Sequence, residues 1–191
     1  MKNFLQAALV AAALTSASAN AADYVIDTEG AHAFVQFKIK HLGYSWLVGR
    51  FNTFEGGFSY NADKPEDSTI NVTIQTASID SNHAERDKHL RGEDFLDVDE
   101  FPEATFASTG FTPDEDGLSG TLEGTLTLHG VTKTITFPVK KIGEGDDPWG
   151  GYRAGFEGQT TLKLADYGIT YNLGPASTEV QLDLLIEGIR K

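Results

Sequence analysis

Eight stretches of this chain alternate apolar and polar residues with a period of two, and one short polar stretch interrupts that rhythm between the third and the fourth. Side chains on a strand point to opposite faces in turn, so each stretch describes a strand with one apolar and one wet face. The stretches are 32–40, 48–60, 68–79, 104–111, 118–128, 131–142, 152–164 and a last one through Val180, Leu182, Leu184 and Ile186. Strands at hairpin spacing call for an antiparallel barrel or sandwich, because an open sheet of this size would leave its edges exposed. About eight strands close into a barrel whose interior is either filled by side chains or holds one small ligand. The expectation is an all-β chain with one short helix packed at the barrel.

The inward faces follow from the alternation. Val35, Phe37 and Ile39 share a face in the first run, Phe58 lies on that of the second, and Ile70, Val72 and Ile74 on that of the third. Phe106, Leu122, Leu126, Phe137 and Phe156 continue it, and Leu182 and Leu184 complete it. These residues are expected to line a ligand cavity, although a slip of one residue at a bulge would turn a whole row outward. Gly120 and Gly124 alternate with leucines on the fifth strand, and Gly158 sits on the apolar face of the seventh. Missing side chains there either leave room for an apolar ligand or relieve strand curvature; the first reading is favoured. Gly56-Gly57 reads as a bulge or bend, and His129-Gly130 as a tight hairpin turn. The aromatic segment 41–47 reads as a short packed turn, and the segment through Gly174-Pro175 as a polar loop.

The helix is expected near residues 82–91. Asn82 followed three residues later by Glu85 fits a capping box, and Gly92 supplies a stop. His83, Glu85, Asp87 and His89 invite a metal reading, but residues four apart share a face, so the four divide into two pairs on different sides. The simpler reading is a capped helix laced by ion pairs of Glu85, Arg86, Asp87 and Arg91, with Arg86, Asp87, Asp94 and Asp97 fixing it over the barrel mouth. No G-x-S-x-G elbow or phosphate-binding glycine loop occurs. His41 and His129 adjoin turns and read as turn or packing residues. No catalytic residues, metal or cofactor are expected.

Residues 1–21 begin with Lys2, run through an apolar stretch and end in Ala19-Asn20-Ala21. This order is that of a cleavable secretory signal peptide, leaving 22–191 as one domain. There is no cysteine, so burial rather than disulfides must supply stability. The chain carries 28 Asp and Glu against 15 Lys and Arg. That excess excludes nucleic acid as a partner and argues against anionic lipid surfaces and stable membrane insertion.

His32-Ala33-Phe34-Val35-Gln36-Phe37, His41-Leu42-Gly43, the segment from Asn82 to Arg91, Asp94-Phe95-Leu96, Phe101-Pro102, Thr105-Phe106 and Leu126-Thr127-Leu128-His129-Gly130-Val131-Thr132 together resemble the YceI-like family of secreted bacterial proteins. Gly145-Asp146-Asp147-Pro148-Trp149-Gly150-Gly151 and Leu173-Gly174-Pro175-Ala176 draw the resemblance toward its periplasmic branch. The resemblance implies a lipocalin-like, eight-stranded antiparallel barrel in the periplasm that binds a long polyisoprenoid, of polyprenyl or isoprenoid-quinone type, and it brings no catalytic set. Two alternatives stay open. One is a lipid-modifying or metal-dependent enzyme using His83, Asp87 or His89 at the barrel mouth; the other is an interaction protein with a filled barrel, including a homodimer.

Overall fold

The computed structural model describes residues 21–191. The expected signal peptide, except for Ala21, lies outside the described residues. The strands are β1 (Ala22–Ile26), β2 (Phe34–His41), β3 (Ser45–Phe51), β4 (Phe54–Tyr60), β5 (Thr69–Gln75) and β6 (Ile79–Asp80), followed after a helix by β7 (Glu103–Pro113), β8 (Ser119–Leu128), β9 (Val131–Asp146), β10 (Tyr152–Lys163) and β11 (Glu179–Arg190). The helix α1 spans Ala84–Arg91.

All these strands belong to one antiparallel sheet, and the first six are three longer strands each broken once. β1 and β2 lie end to end along β11, with Ile26 opposite Gly188 and Val35 opposite Leu184. β3 and β4 lie end to end along β2 and β1, and β6 and β5 follow them in turn. Counted that way, eight strands close into a barrel through the pairing of β1 with both β4 and β11. The breaks fall side by side at residues 27–33, 52–53 and 76–78, so they form one bend across three strands. Their backbone groups are satisfied locally, as burial requires. Thr76 is fully buried and donates its hydroxyl to Phe101 O at 2.8 Å, while its N–H bonds Pro102 O at 2.9 Å.

The helix ends differ from expectation. His83 is the N-cap, its Nδ1 accepting the Arg86 N–H at 3.2 Å, and Asn82 stands outside the helix at φ 62°. Gly92 closes the helix in an extended conformation, φ −79° and ψ 175°, not a left-handed one. The arginines do not lace the helix with carboxylates. Arg91 donates to Ala77 O and Ile79 O, each at 2.7 Å, and Arg86 donates to Ser81 Oγ at 2.7 Å and Ser81 O at 2.5 Å. Asp87, buried, accepts the Ser81 N–H at 2.8 Å and the Ser81 hydroxyl. These acceptors lie along and on either side of the two-residue strand β6, with Ala77 in the break before it and Ser81 just past its end, so the two guanidiniums staple α1 to β6.

The glycines also act differently. A Cβ at Gly124 would meet the Phe106 ring at 2.3 Å, and one at Gly120 would meet the Phe111 ring at 2.4 Å. The missing side chains therefore admit aromatic rings from β7 lying over the sheet, and empty volume is not their direct product. Gly56-Gly57 forms no bulge, since its pairing with Asn71 and Val72 is regular; the register shifts occur at Ser108/Gly110 and Gly155/Phe156. Because the Gly124 neighbours also include the Ala107 carbonyl at 2.6 Å, Gly124→Ala has no room to relax. It is expected to destabilise the chain by roughly 1–3 kcal/mol, the range of overpacking, read as a lower urea midpoint with an unchanged slope.

Candidate ligand-binding site

The barrel interior holds two adjoining apolar chambers. The smaller, about 160 Å³, lies in the half built by β4, β5 and β7–β11. The larger, about 730 Å³, lies at the helix end, between β2, β3, α1 and the segment joining β10 to β11. They meet at a waist where Val35, Ile74, Leu126 and Leu182 line both. The combined space is that of a ligand site more than of a packed core, in which voids exceed a water molecule only rarely.

All fourteen residues expected inside do line these chambers. Phe37 and Ile39 line the larger; Phe58, Ile70, Val72, Phe106, Leu122, Phe137, Phe156 and Leu184 line the smaller; the other four form the waist. Ile70, Ile74, Phe106, Leu182 and Leu184 remain half-buried, although each points inward at a position where the strand pairing is regular, Phe106 two residues before the shift at Ser108/Gly110. Their remaining accessible surface faces the lumen. The alternation missed much of the larger chamber: Leu90 from α1, Phe95 and Leu96 beyond it, and Ile169, Tyr171 and Leu173 from the segment read as a polar loop. Ile169, Tyr171 and Leu173 do alternate with Thr170 and Asn172. That period-two signal was present in the supposed loop.

The polar groups sit at the rims. On the smaller chamber, Lys141 donates to Glu144 Oε1 at 2.6 Å and to the Tyr60 hydroxyl at 3.3 Å. Burial works against the Lys141 charge, but these two bonds outweigh it and raise its pKa. The larger chamber is lined by Lys40, His41, Arg86 and His89 and by no carboxylate. His89 pairs with Asp94 at 2.9 Å while its ring packs edge-on against Phe95 and Tyr171 at 4.9 and 5.1 Å. Of the three residues a mouth enzyme would use, His83 is engaged as the helix cap, Asp87 is held by Ser81, and only His89 reaches the lumen. The His129 ring packs at a tilt against Phe101, 4.6 Å between centres, and bonds Tyr167 O, the packing role expected of it.

A second polar cluster lies at the break between β1 and β2, away from both chambers. Asp27, His32 and Glu187 bring their ligating atoms within 4.8 Å of one another. A cation already occupies the group: Arg153 Nη1 is 2.6 Å from Asp27 Oδ2 and 2.6 Å from Glu187 Oε1, and its Nε is 2.8 Å from Asp147 Oδ2. Asp27 also accepts the Gly30 N–H and pairs with His32, each at 2.8 Å. Arg153 first, and His32 second, hold the Asp27 carboxyl down to about 2 from 3.8. The cluster therefore acts as an ion-pair staple across the broken strand.

Comparison with known proteins places this geometry. Residues 24–188 match the YceI-like domain. A UPF0312 protein of Shewanella sp. strain W3-18-1 is 58% identical over 192 residues, covering 100% of this chain and 99% of the relative. One from Pseudomonas aeruginosa is 57% identical over 190 residues, covering 100% and 98%. Among solved structures, Burkholderia cenocepacia BcnA superposes with a TM-score of 0.75 at 23% identity, over 85% of this chain and 98% of that one. A polyisoprenoid binding domain from Saccharophagus degradans gives 0.64 at 18% identity, over 88% and 98%. At those identities the two structures speak for the fold alone, an eight-stranded lipocalin-like barrel. With the domain match spanning nearly all the described residues and relatives well over half identical along the whole chain, this protein belongs to the YceI-like family.

Proposed function

We propose that this chain is a non-enzymatic binding or carrier protein that holds a long polyisoprenoid in its two chambers, and that it does so in the periplasm. The observation that carries the reading is the lumen: two adjoining chambers walled almost wholly by aliphatic and aromatic side chains, with charged groups confined to the rims. Burying each CH₂ contributes about 0.8 kcal/mol, so a branched hydrocarbon tail binds there without a charged contact. The fold shared with a polyisoprenoid binding domain agrees with this reading. No carboxylate lines the larger chamber, and Asp94 is taken up by His89, so the lining beside Arg86 favours a neutral or anionic head group. The apolar run and A-x-A site at the N-terminus support export.

Native mass spectrometry of the protein purified from its own cells, followed by organic extraction, tests the reading. The expected result is one prenyl lipid per chain, retained through purification. A protein that emerges empty and takes up no prenyl lipid offered to it would remove the proposal's main support.

A further inference from the structure

We infer that the β2–β3 hairpin, with the segment 168–178 beside it, is the face by which this protein docks on the surface of a lipid bilayer containing anionic lipids. The segment 41–47, expected as a packed turn, is a projecting hairpin turned by Leu42 and Gly43 at φ 52° and 83°. Its apolar side chains are in solvent: Leu42 is 57% exposed, Tyr44 88%, Trp46 52% and Val48 57%. Among the described residues ten large apolar side chains are exposed, and with Tyr171 five of them fall on this one rim. Clustering of that kind marks an interaction surface, whereas scattered exposed residues do not. Tyr and Trp with one apolar and one wet end suit the headgroup layer of a bilayer.

Charge selects the partner. The chain has a net charge of −13, yet no acidic residue occurs from Lys38 to Arg50 and no charged residue at all from Gly168 to Thr178. Lys38 pairs with Asp183 at 3.3 Å, and Arg50 stands opposite Asp80 in register. Lys40 has no carboxylate partner among the described residues, and its ammonium lies 5.8 Å from the Trp46 ring centre. A cation beside an exposed indole is the pairing that an anionic headgroup layer attracts, while the acidic remainder of the surface is repelled and so sets the orientation. The position fits the partner. Lys40, His41 and Leu42 on one side and Tyr171, Asn172 and Leu173 on the other line the larger chamber, so docking this face sets the chamber mouth against the bilayer. The two segments touch: Ser177 Oγ donates to Lys40 O at 2.5 Å, and a Cβ at Gly43 would lie 3.5 Å from Ala176 Cβ.

Flotation with vesicles tests this, using residues 22–191, which contain the whole closed barrel. Vesicles of phosphatidylcholine alone are compared with vesicles containing one part in three phosphatidylglycerol at low ionic strength. The expected result is co-flotation with the anionic vesicles, weakened by salt, and a blue shift of Trp46 emission in a Trp149→Phe background. Tyr44→Ser with Trp46→Ser, and separately Lys40→Glu, should each lower vesicle partition by about tenfold or more, since one basic charge near the surface is worth about 1 kcal/mol and the last change reverses a charge. The melting temperature of each variant, unchanged, establishes that the barrel is intact. No flotation with anionic vesicles, equal flotation by the variants, or a concentration-dependent dimer that the same substitutions dissolve without any vesicle binding would each overturn the inference. Flotation reads docking alone and lipid extraction reads the cargo, so this inference and the carrier reading fail independently.

Discussion

Leu182→Trp should lower affinity for a long prenyl chain by a hundredfold or more while leaving a short one nearly unaffected. Leu182 lies opposite Phe37 in the β11–β2 ladder and is half-buried at the waist, with its free surface toward the lumen. An indole there fills the junction and divides the two chambers. A chain long enough to thread both would lose the part housed in the smaller one. At about 0.8 kcal/mol per buried CH₂, excluding one five-carbon unit costs on the order of 4 kcal/mol, and each 1.4 kcal/mol is about tenfold in affinity. A short prenyl alcohol that fits within the larger chamber, about 730 Å³, has no such segment to lose. Overpacking should cost the fold only about 1 kcal/mol, because the side chain already borders open space. Binding titrations with prenyl alcohols of two lengths measure the difference. Equal losses for both lengths, or no loss for either, would mean that the ligand does not cross the waist.

Asp27→Asn should be the most damaging polar substitution in the barrel. The Asp27 side chain is 4% exposed and joins Gly30, His32 and Arg153 across the break between β1 and β2. Removing one member of a buried ion pair costs roughly 3–5 kcal/mol. Here the loss should be about 2–3 kcal/mol, because Arg153 keeps Glu187 and Asp147 as partners. For a chain of this size that lowers the melting temperature by roughly 5–10 °C. The pH dependence carries a sign of its own. A carboxyl held at about 2 in the folded chain against 3.8 when free stabilises the fold fully above 3.8, and the contribution disappears as the pH falls from there through about 2. It amounts to at most about 2 kcal/mol. Denaturation midpoints collected between pH 2 and 6 should therefore converge for the wild-type chain and Asp27→Asn at the acid end. Parallel curves would show that Asp27 is protonated alike in both states.

The eight alternating runs and their inward rows were legible in the chain by itself, because period two is a local property: each residue's face follows from its neighbours two positions away. That is why Val35, Phe58, Val72 and Leu126 were legible as lining residues before any contact was known. It also made the hairpin at His129-Gly130 legible, where both residues take positive φ. β1 and the breaks were not legible, and alternation left barrel and sandwich both open until the pairing of β1 with β11 closed the sheet. The tertiary structure alone decided what depends on residues far apart in the chain. Arg86 and Arg91 turned from carboxylates to backbone oxygens at the two ends of β6, and the break between β1 and β2 brought Asp27 to Arg153 across 126 positions. Phe106 and Phe111 took the space that Gly124 and Gly120 leave, which no reading of one strand reveals. The division of the lumen into two chambers, and the gathering of Tyr44, Trp46, Lys40 and Tyr171 on one rim, arise from how separate segments meet. Local alternation specifies which way a side chain points; only the closure of the sheet specifies what it meets there.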